Sequence, residues 1–475
     1  MRLLTDTGSA VATFSRFTRV LFVAALLVCA GCAPRSETEP VTPQWLRPST
    51  NGHYLVSAAG NPYIVQADSA WWLAERSTRE DVVRYLDARR AQGFNTVMVA
   101  ATLDHGKARN AFGETIWDGD ASRPNPRFFE QIDFILKQAE LRDMHVAMAP
   151  AWVKHVTPPR GEGLSVHNAY GFGLWIGERY RGHPIIWLMG GDDVEWHQAI
   201  VNEVARGITV GVTGSEAGHD GVVMTYHPAW AKSSAERFHD SQWLDFHMAQ
   251  SGHCGRTLAA GHELTEADFE RRWPKPAMDG EPFYEGHPLC MDPSRPYSTP
   301  QQVRNGLYNA AFGGGAGIAY GHHSVWQMYQ PDRKGVNGPI RYWYDALHDE
   351  VAGQVIHLRR LLESRPILTR VPDGGVGTAA AGIRFTRAED GTYLMAYSTD
   401  GAPLTVDLAG LSGSNATLWW YDPRTGAASE IETTRAGGEV TLAPPSPQDW
   451  VLVADDASQG FPPPGTRIDQ PLDHR

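Results

Sequence analysis

The chain has 475 residues, 42% of them hydrophobic and only 20% charged, with 48 Gly, 32 Pro and 16 Trp, a globular composition whose length predicts a large domain with a smaller companion, since single domains rarely exceed roughly 300 residues. Lys and Arg total 42 against 54 Asp and Glu, a formal charge of -12. Without a basic run in the mature sequence, that balance argues against a nucleic-acid partner, because phosphate recognition needs clustered cations.

At the N-terminus, Arg2, Arg16 and Arg19 precede an apolar run over residues 20–30, followed at once by Gly31 and Cys32. The run is shorter than the roughly 20 residues a membrane span needs, and its basic flank and small-residue exit fit an export signal over residues 1–32. Ala30-Gly31-Cys32 resembles a bacterial lipobox, with Cys29 where Leu is usual, and implies lipidation at Cys32. The expectation is an exported lipoprotein of the cell envelope, held to the membrane by lipid alone; simple cleavage and release is the alternative. Residues 33–45 read as a polar linker. Of the four cysteines only Cys254 and Cys290 fall in the folded part. An oxidising compartment allows them to pair, and two separate buried thiols are the other reading.

From residue 46 strands and helices alternate. Strands are expected over residues 63–65, 95–101, 145–149, 185–189, 222–225, 243–246, 276–279 and 316–320. The first long helix starts near Arg79, with Ser77 and Glu80 as its capping box. Eight strand–helix units imply parallel pairing and a (β/α)8 TIM barrel over residues 46–364. A doubly wound open sheet is the alternative, disfavoured because no Gly-x-Gly-x-x-Gly follows the first strand. From about Arg365 short alternating strands with turn signals predict a small antiparallel β-sandwich over residues 365–456. Residues 457–475 are Pro-rich and are expected to fray.

Polar and aromatic residues follow nearly every expected strand: Asp68 with Trp71, Asp104 with His105, Trp152 with His155, Asp192, Tyr226 with His227, His247, Glu281, and Tyr320 with His322. In a barrel these positions share the C-terminal rim, where barrel enzymes hold their sites. Asp192 after the fourth strand and Glu281 after the seventh can flank a glycosidic bond, which is cleaved by one carboxylic acid and one carboxylate. Helix capping by Asp192 and an Arg partner for Glu281 are the bland alternatives, and Asp193, Glu195 and Glu285 compete by spacing. Trp71, Trp72, Trp152 and Trp326 offer faces for the C–H side of a sugar, whereas Trp187 reads as core. The site histidines could suggest a metal, but metal-dependent barrel hydrolases generally carry a His-x-His where this chain has Asp68-Ser69-Ala70, so neither metal nor cofactor is expected.

Four segments in order, Gly190-Gly191-Asp192, Gly280-Glu281-Pro282-Phe283-Tyr284-Glu285-Gly286, Thr299-Pro300-Gln301-Gln302-Val303-Arg304 and Tyr320-Gly321-His322-His323-Ser324-Val325-Trp326-Gln327, resemble the apiosidase-like glycoside hydrolases. These are bacterial barrel proteins often labelled collagenases, with a C-terminal β domain labelled collagen-binding. The resemblance runs from about Leu46 to Val453. It implies a retaining or retaining-like glycosidase, active on apiose in pectin side chains in the characterised branch. Carried over, the catalytic Asp is Asp192 and the Glu is Glu281, with Glu285 in the same motif. Asp68, Trp71, His105, Trp152, His155, Tyr226, His227, Glu285, Tyr320, His322 and Trp326 are the expected substrate-binding residues. The collagenase label is not adopted, because the chain has no His-Glu-x-x-His. A sugar-binding barrel without catalysis and an adhesion protein using the C-terminal domain are the non-hydrolase alternatives.

Overall fold

A computed structural model describes residues 45–103, 108–152, 163–218, 221–254, 260–373 and 382–474. The export signal, Cys32 and the linker up to residue 44 lie outside the described residues. Among the described residues, no helix is long and apolar enough to cross a membrane.

Three short antiparallel strands at Leu46–Pro48, Leu55–Ser57 and Pro62–Tyr63 precede the main sheet. The strands that carry the site are β1 (Val65–Ser69), β2 (Thr96–Ala100), β3 (His145–Ala149), β4 (Ile185–Asp193), β5 (Val223–Pro228), β6 (His247–Gln250), β7 (Ala277–Asp279) and β8 (Gly317–Gly321). Every residue of β1, β2, β3 and β8 is buried, as expected of parallel strands covered on both faces. The ladder runs β8-β1-β2-β3-β4-β5 as one six-stranded parallel sheet, a half-barrel, while β6 and β7 form a separate parallel pair edged by Lys232–Ser233.

The eight-stranded barrel expected from the sequence is therefore laddered only in part, and side chains explain one of the two seams. Between β5 and β6 the Asp245 carboxylate accepts the Met224 N–H (2.8 Å) and the Thr225 hydroxyl donates to the Phe246 carbonyl (2.7 Å), taking the place of ladder bonds. Between β7 and β8 the Ala316 N–H reaches the Ala277 carbonyl (2.7 Å), and beyond the strand ends the Glu285 N–H reaches that of Gly321 (2.9 Å).

Helices α1 (Arg79–Ala91), α2 (Pro126–Glu140), α3 (Ala169–Arg179), α4 (Gln198–Thr213), α5 (Ala260–Phe269) and α6 (Pro300–Phe312) lie between strands, and α7 (Val355–Glu363) follows β8. The α1 capping box is Thr78 with Asp81, one residue beyond the expected pair; either pair has the right spacing, and Ser77 is buried instead. Thr299 and Gln302 form the box at the start of α6, with Pro300 in the first turn.

The C-terminal region is antiparallel. Strands β9 (Arg370–Pro372), β10 (Ile383–Ala388), β11 (Tyr393–Ser398), β12 (Leu404–Asp407), β13 (Asn415–Tyr421), β14 (Ala428–Arg435), β15 (Glu439–Leu442) and β16 (Trp450–Asp456) build a six-stranded sheet, β9-β10-β11-β16-β13-β14, and a β12-β15 pair. Alternation along β11 divides its side chains between two cores. Leu394 and Ala396 join a small core with Val406, Leu418 and Leu452, whereas Tyr393, Met395 and Tyr397 join the large core. The middle of the sheet is thus buried on both faces, while its edge strand β14 has no buried residue.

The expected fraying of residues 457–475 does not occur through His474, because two polar side chains anchor the segment. Gln470 accepts the Ile367 N–H (3.0 Å) and donates to the Glu363 and Arg365 carbonyls (2.9 and 3.0 Å). Asp473 pairs with Arg47 (2.6 Å) and accepts the Thr50 N–H (3.0 Å).

Candidate active site

At the end of β4 the pairing with β5 shifts between Gly190 and Asp193. Gly190, Gly191 and Asp192 all have positive φ (+76°, +129° and +56°). A Cβ on Gly191 would lie 2.2 Å from the Trp152 ring, and one on Gly190 2.4 Å from that of Tyr226. The backbone can pass between two aromatic rings only because neither residue has a side chain, and the turn it makes takes Asp192 out of the strand's alternation. Asp193 is turned into protein: Oδ1 accepts the Glu195 N–H (2.9 Å) and Oδ2 lies 2.7 Å from His197 Nδ1. Glu195 is exposed and pairs with the other nitrogen of the same imidazole. Neither competitor is placed like Asp192.

Asp192 keeps accessible surface toward the open side, while Gln250 Nε2 donates to its Oδ1 (3.1 Å), leaving Oδ2 free to carry a proton. Protein mass around the group costs its charge hydration, and Glu281 adds a like charge; together these raise its pKa to about 6.

Glu281 follows β7 and is buried. Its N–H points to Asp279 Oδ1 (3.3 Å), which also accepts the Ser251 N–H (3.1 Å), so one buried carboxylate ties the turn after β6 to the turn after β7. Burial raises Asp279 to about 6 against these hydrogen bonds. Two imidazoles flank Glu281: His253 Nε2 lies 2.9 Å from Oε1 and His227 Nε2 3.2 Å from Oε2. The His227 contact is close, though its alignment is poorer than that of His253. Burial pushes the Glu281 carboxyl up, but the two histidines outweigh it and hold the group well below the usual carboxylate range. His227 Nδ1 faces the Pro228 carbonyl (3.1 Å) and must carry hydrogen there, so Nε2 can meet a carboxylate favourably only as part of an imidazolium. The His227 pKa is accordingly raised: burial opposes this, and contact with Glu281 and the charge of Asp192 overcome it.

Asp192, His227 and Glu281 each bring one donor atom within 4.8 Å of the other two. A carboxylate–imidazole set of this kind can also hold a zinc-like cation. A wall of aromatic rings stands beside it. Trp71 lies 5.0 Å from Trp152 and 5.2 Å from His227 between ring centroids, and its Nε1 donates to the Tyr284 hydroxyl (3.2 Å), which donates to Ser69 Oγ (2.7 Å). A cavity of about 920 Å³ lined by Trp45, Arg47, Arg181 and Asp245 lies at the opposite end of the strands, so size alone does not mark the site.

Asp192, Glu281, Trp71, Trp152 and His227 thus converge as expected, while several other expected binding residues do not. Asp68 points away from the cleft, fully buried against Arg89 (2.8 Å) and the Tyr85 hydroxyl, because alternation turns it to the helix side and its neighbour Ser69 to the site. Tyr320 is buried and donates to Glu285 Oε2 (2.6 Å), and Glu285 Oε1 accepts the Val351 N–H (3.1 Å), so both are consumed by packing. His322 is buried, with Nε2 2.9 Å from Asp349 and Nδ1 accepting the Ser324 N–H (3.0 Å). Tyr226 is buried beneath Gly190 and stacks on Trp196. Trp326 is half-buried and stacks on Trp72 with centroids 5.1 Å apart. His247 opens β6 rather than closing it and meets His239 (3.1 Å). His105 and His155 lie outside the described residues. Gln250, His253, Asp279 and Tyr284 are site residues that the sequence reading did not single out.

Residues 49–369 match the family described as "Apiosidase-like, catalytic domain". The chain belongs to the apiosidase-like family. Residues 372–455 match a second family, described as "Putative collagen-binding domain of a collagenase". A crystal structure of a glycoside hydrolase family 5 protein from Bacteroides vulgatus ATCC 8482 is similar at 27% identity and a TM-score of 0.81, over 90% of this chain and 96% of that one. A second solved structure, described only as a glycoside hydrolase, is similar at 28% identity and a TM-score of 0.81, over 88% and 98%. No curated protein sequence matches. Apiosidase-like membership and these likenesses support a glycosidase with a carbohydrate substrate.

Proposed function

We propose that this apiosidase-like protein is a retaining glycosidase with Glu281 as nucleophile and Asp192 as general acid/base. The observation that carries the reading is the pair itself: two carboxylates within 4.8 Å whose surroundings push their pKa values in opposite directions. A separation of about 5 to 5.5 Å suits a covalent intermediate, whereas inversion needs about 6.5 to 9.5 Å to admit water. Glu281 attacks the anomeric carbon as Asp192 gives its proton to the departing oxygen. Asp192, now ionised, takes a proton from water, and the resulting attack releases Glu281 with the original anomeric configuration. His253 and His227 keep Glu281 ionised until attack, and Gln250 orients Asp192. The pairing of β8 with β1, and the hydrogen bonds across both seams, support a working (β/α)8 barrel.

Apiose in pectin side chains is the substrate we propose first, on the strength of family membership. Residues 1–32 are proposed as an export signal and Cys32 as the lipid anchor that holds the enzyme at the cell envelope; a Cys32→Ser protein that still partitions into detergent would refute the anchor. Turnover of apiose-containing pectic oligosaccharides by EDTA-treated protein tests the activity, and product configuration tests retention. Azide rescue of Glu281→Gly with inverted product is the expected result. Loss of turnover on chelation with recovery on Zn²⁺ would reassign the two carboxylates as metal ligands.

A further inference from the structure

Two tryptophans are among the exposed large side chains, Trp230 at 54% and Trp273 at 67%. Trp273 precedes β7 and so lies at the end of the strands away from the carboxylates. Trp230 follows β5, at the same end as Asp192 and Glu281.

The backbone around Trp230 is built to hold it. Gly252 has φ +80°, and a Cβ there would lie 2.0 Å from Trp230 Cδ1 and 2.5 Å from Nε1, so the edge of the indole rests directly on the Gly252 main chain. The Gly252 N–H donates to the Glu281 carbonyl (2.9 Å). Gly252 stands immediately before His253, which contacts Glu281, and two residues after Gln250, which contacts Asp192. On the other side, Ala231 adopts φ +56°, costly for a residue with a side chain, and its N–H donates to the Gln250 carbonyl (2.8 Å). A strained turn and a side-chain-free seat thus fix a large, half-open aromatic ring one residue's breadth from the main chain that carries both catalytic contacts. Core packing does not account for it, since a core tryptophan would be covered, and no other aromatic ring stacks on it among the described residues.

We propose that Trp230 is a stacking platform for a second sugar ring, next to the ring held between Asp192 and Glu281. An indole face held rigid at the rim can cover the C–H face of a sugar without ordering a flexible side chain. The proposal rests on the glycosidase reading for what lies between the carboxylates.

The test is a binding measurement, so that it does not depend on turnover. The full chain carrying Glu281→Gln is compared with the same chain carrying Glu281→Gln and Trp230→Ala, by calorimetry with pectic oligosaccharides of several sugars and with their terminal monosaccharide. Trp230→Ala should weaken oligosaccharide binding about 10-fold, the size of a lost aromatic contact, and leave monosaccharide binding unchanged. Trp230→Phe should restore most of the loss. In wild-type background the change should appear in KM for oligosaccharides and not in kcat. Equal loss for both ligands, no loss for either, or no oligosaccharide binding by the protein that retains Trp230 would each overturn the platform. Failure of the hydrolase reading has a different signature, namely Trp230-dependent binding with no sugar released by wild type.

Discussion

His253 Nε2 lies 2.9 Å from Glu281 Oε1, and the next residue, Cys254, is bonded to Cys290, so the partner of the proposed nucleophile is tethered covalently to the segment after β7. The Cys290 N–H also donates to the His253 carbonyl (2.8 Å). His253 is therefore a positioning residue that holds Glu281 ionised.

Replacing His253 by Ala should let the Glu281 pKa climb back toward its ordinary value of 4.5, since one of the two groups that lower it is gone. The acid limb of kcat/KM should then move to higher pH, and activity at pH 4 should fall much more than at pH 6. A uniform loss across the profile would mean that His253 only supports the fold.

Asp192 fixes the other limb. It must be protonated to act, and its pKa of about 6 means that kcat/KM should decline as pH rises through that value. Asp192→Asn should abolish this limb and cost about 10²- to 10⁴-fold on natural glycosides, with a much smaller loss on activated aryl glycosides, whose leaving groups need no proton. The same shift has a stability sign. A carboxyl whose folded pKa is raised favours the fold below its unfolded value of 3.8 and loses that contribution as pH rises through about 6. Asp192→Asn should hence melt higher than wild type at pH 7.5 and not at pH 3.5, a comparison that calorimetry at the two pH values settles.

Much of this site was legible because chemistry and spacing coincide at Gly190-Gly191-Asp192 and at Gly280-Glu281. The misses have physical causes. Trp243, Leu244 and Phe246 are apolar enough to pass for a strand, yet the sixth strand is His247–Gln250, whose ends are polar; the slip hid Gln250 and His253 by placing His247 at the rim. Asp68 stands at a strand end, which in sequence looks like a rim position, but a period of two sends adjacent residues to opposite sides. Glu285 and Tyr320 bond to each other, a pairing across 35 positions that no local pattern reveals. Strand β14, with Glu430 and Glu432 among its exposed residues, lacks the apolar alternation that marks its neighbours.

The antiparallel region is fastened to α6 by a buried ion pair. Arg304 Nε and Nη2 donate to the two oxygens of Asp449 (2.9 and 2.8 Å), and Tyr397 Oη donates to Asn305 Oδ1 (2.6 Å) beside them. Asp449→Ala would leave the buried Arg304 guanidinium only Gln354 (2.9 Å) and Glu350 (3.5 Å), and since breaking a buried pair outright costs about 3 to 5 kcal/mol, the loss should be of that order or somewhat less. Denaturation should show this loss, or a separate early transition for residues 372–455, while kcat on small substrates stays near wild type. An unchanged midpoint would show that the Arg304–Asp449 pair is not what holds the two regions together and would leave that work to contacts such as those of Arg370 with the Ala311 and Gly315 carbonyls (2.6 Å each).

The choice between Glu281 and Glu285 gives the strongest test of the site. They lie four residues apart in one motif, but their surroundings assign different work. Glu281 faces Asp192 and receives two imidazoles, while Glu285 is spent on the Tyr320 hydroxyl (2.6 Å) and the Val351 N–H (3.1 Å). Glu281→Gln should remove turnover of natural and activated glycosides alike, because no substrate bypasses the nucleophile, and the protein should melt below wild type near neutral pH, because the two imidazoles lose the charge that they face. Glu285→Gln keeps one oxygen for Val351 but places an amide opposite Tyr320, so it should cost about 1 to 3 kcal/mol of stability with kcat largely retained. A folded Glu285→Gln protein without activity beside an active Glu281→Gln would transfer the nucleophile four residues along the chain, and with it the meaning of the two histidines around Glu281.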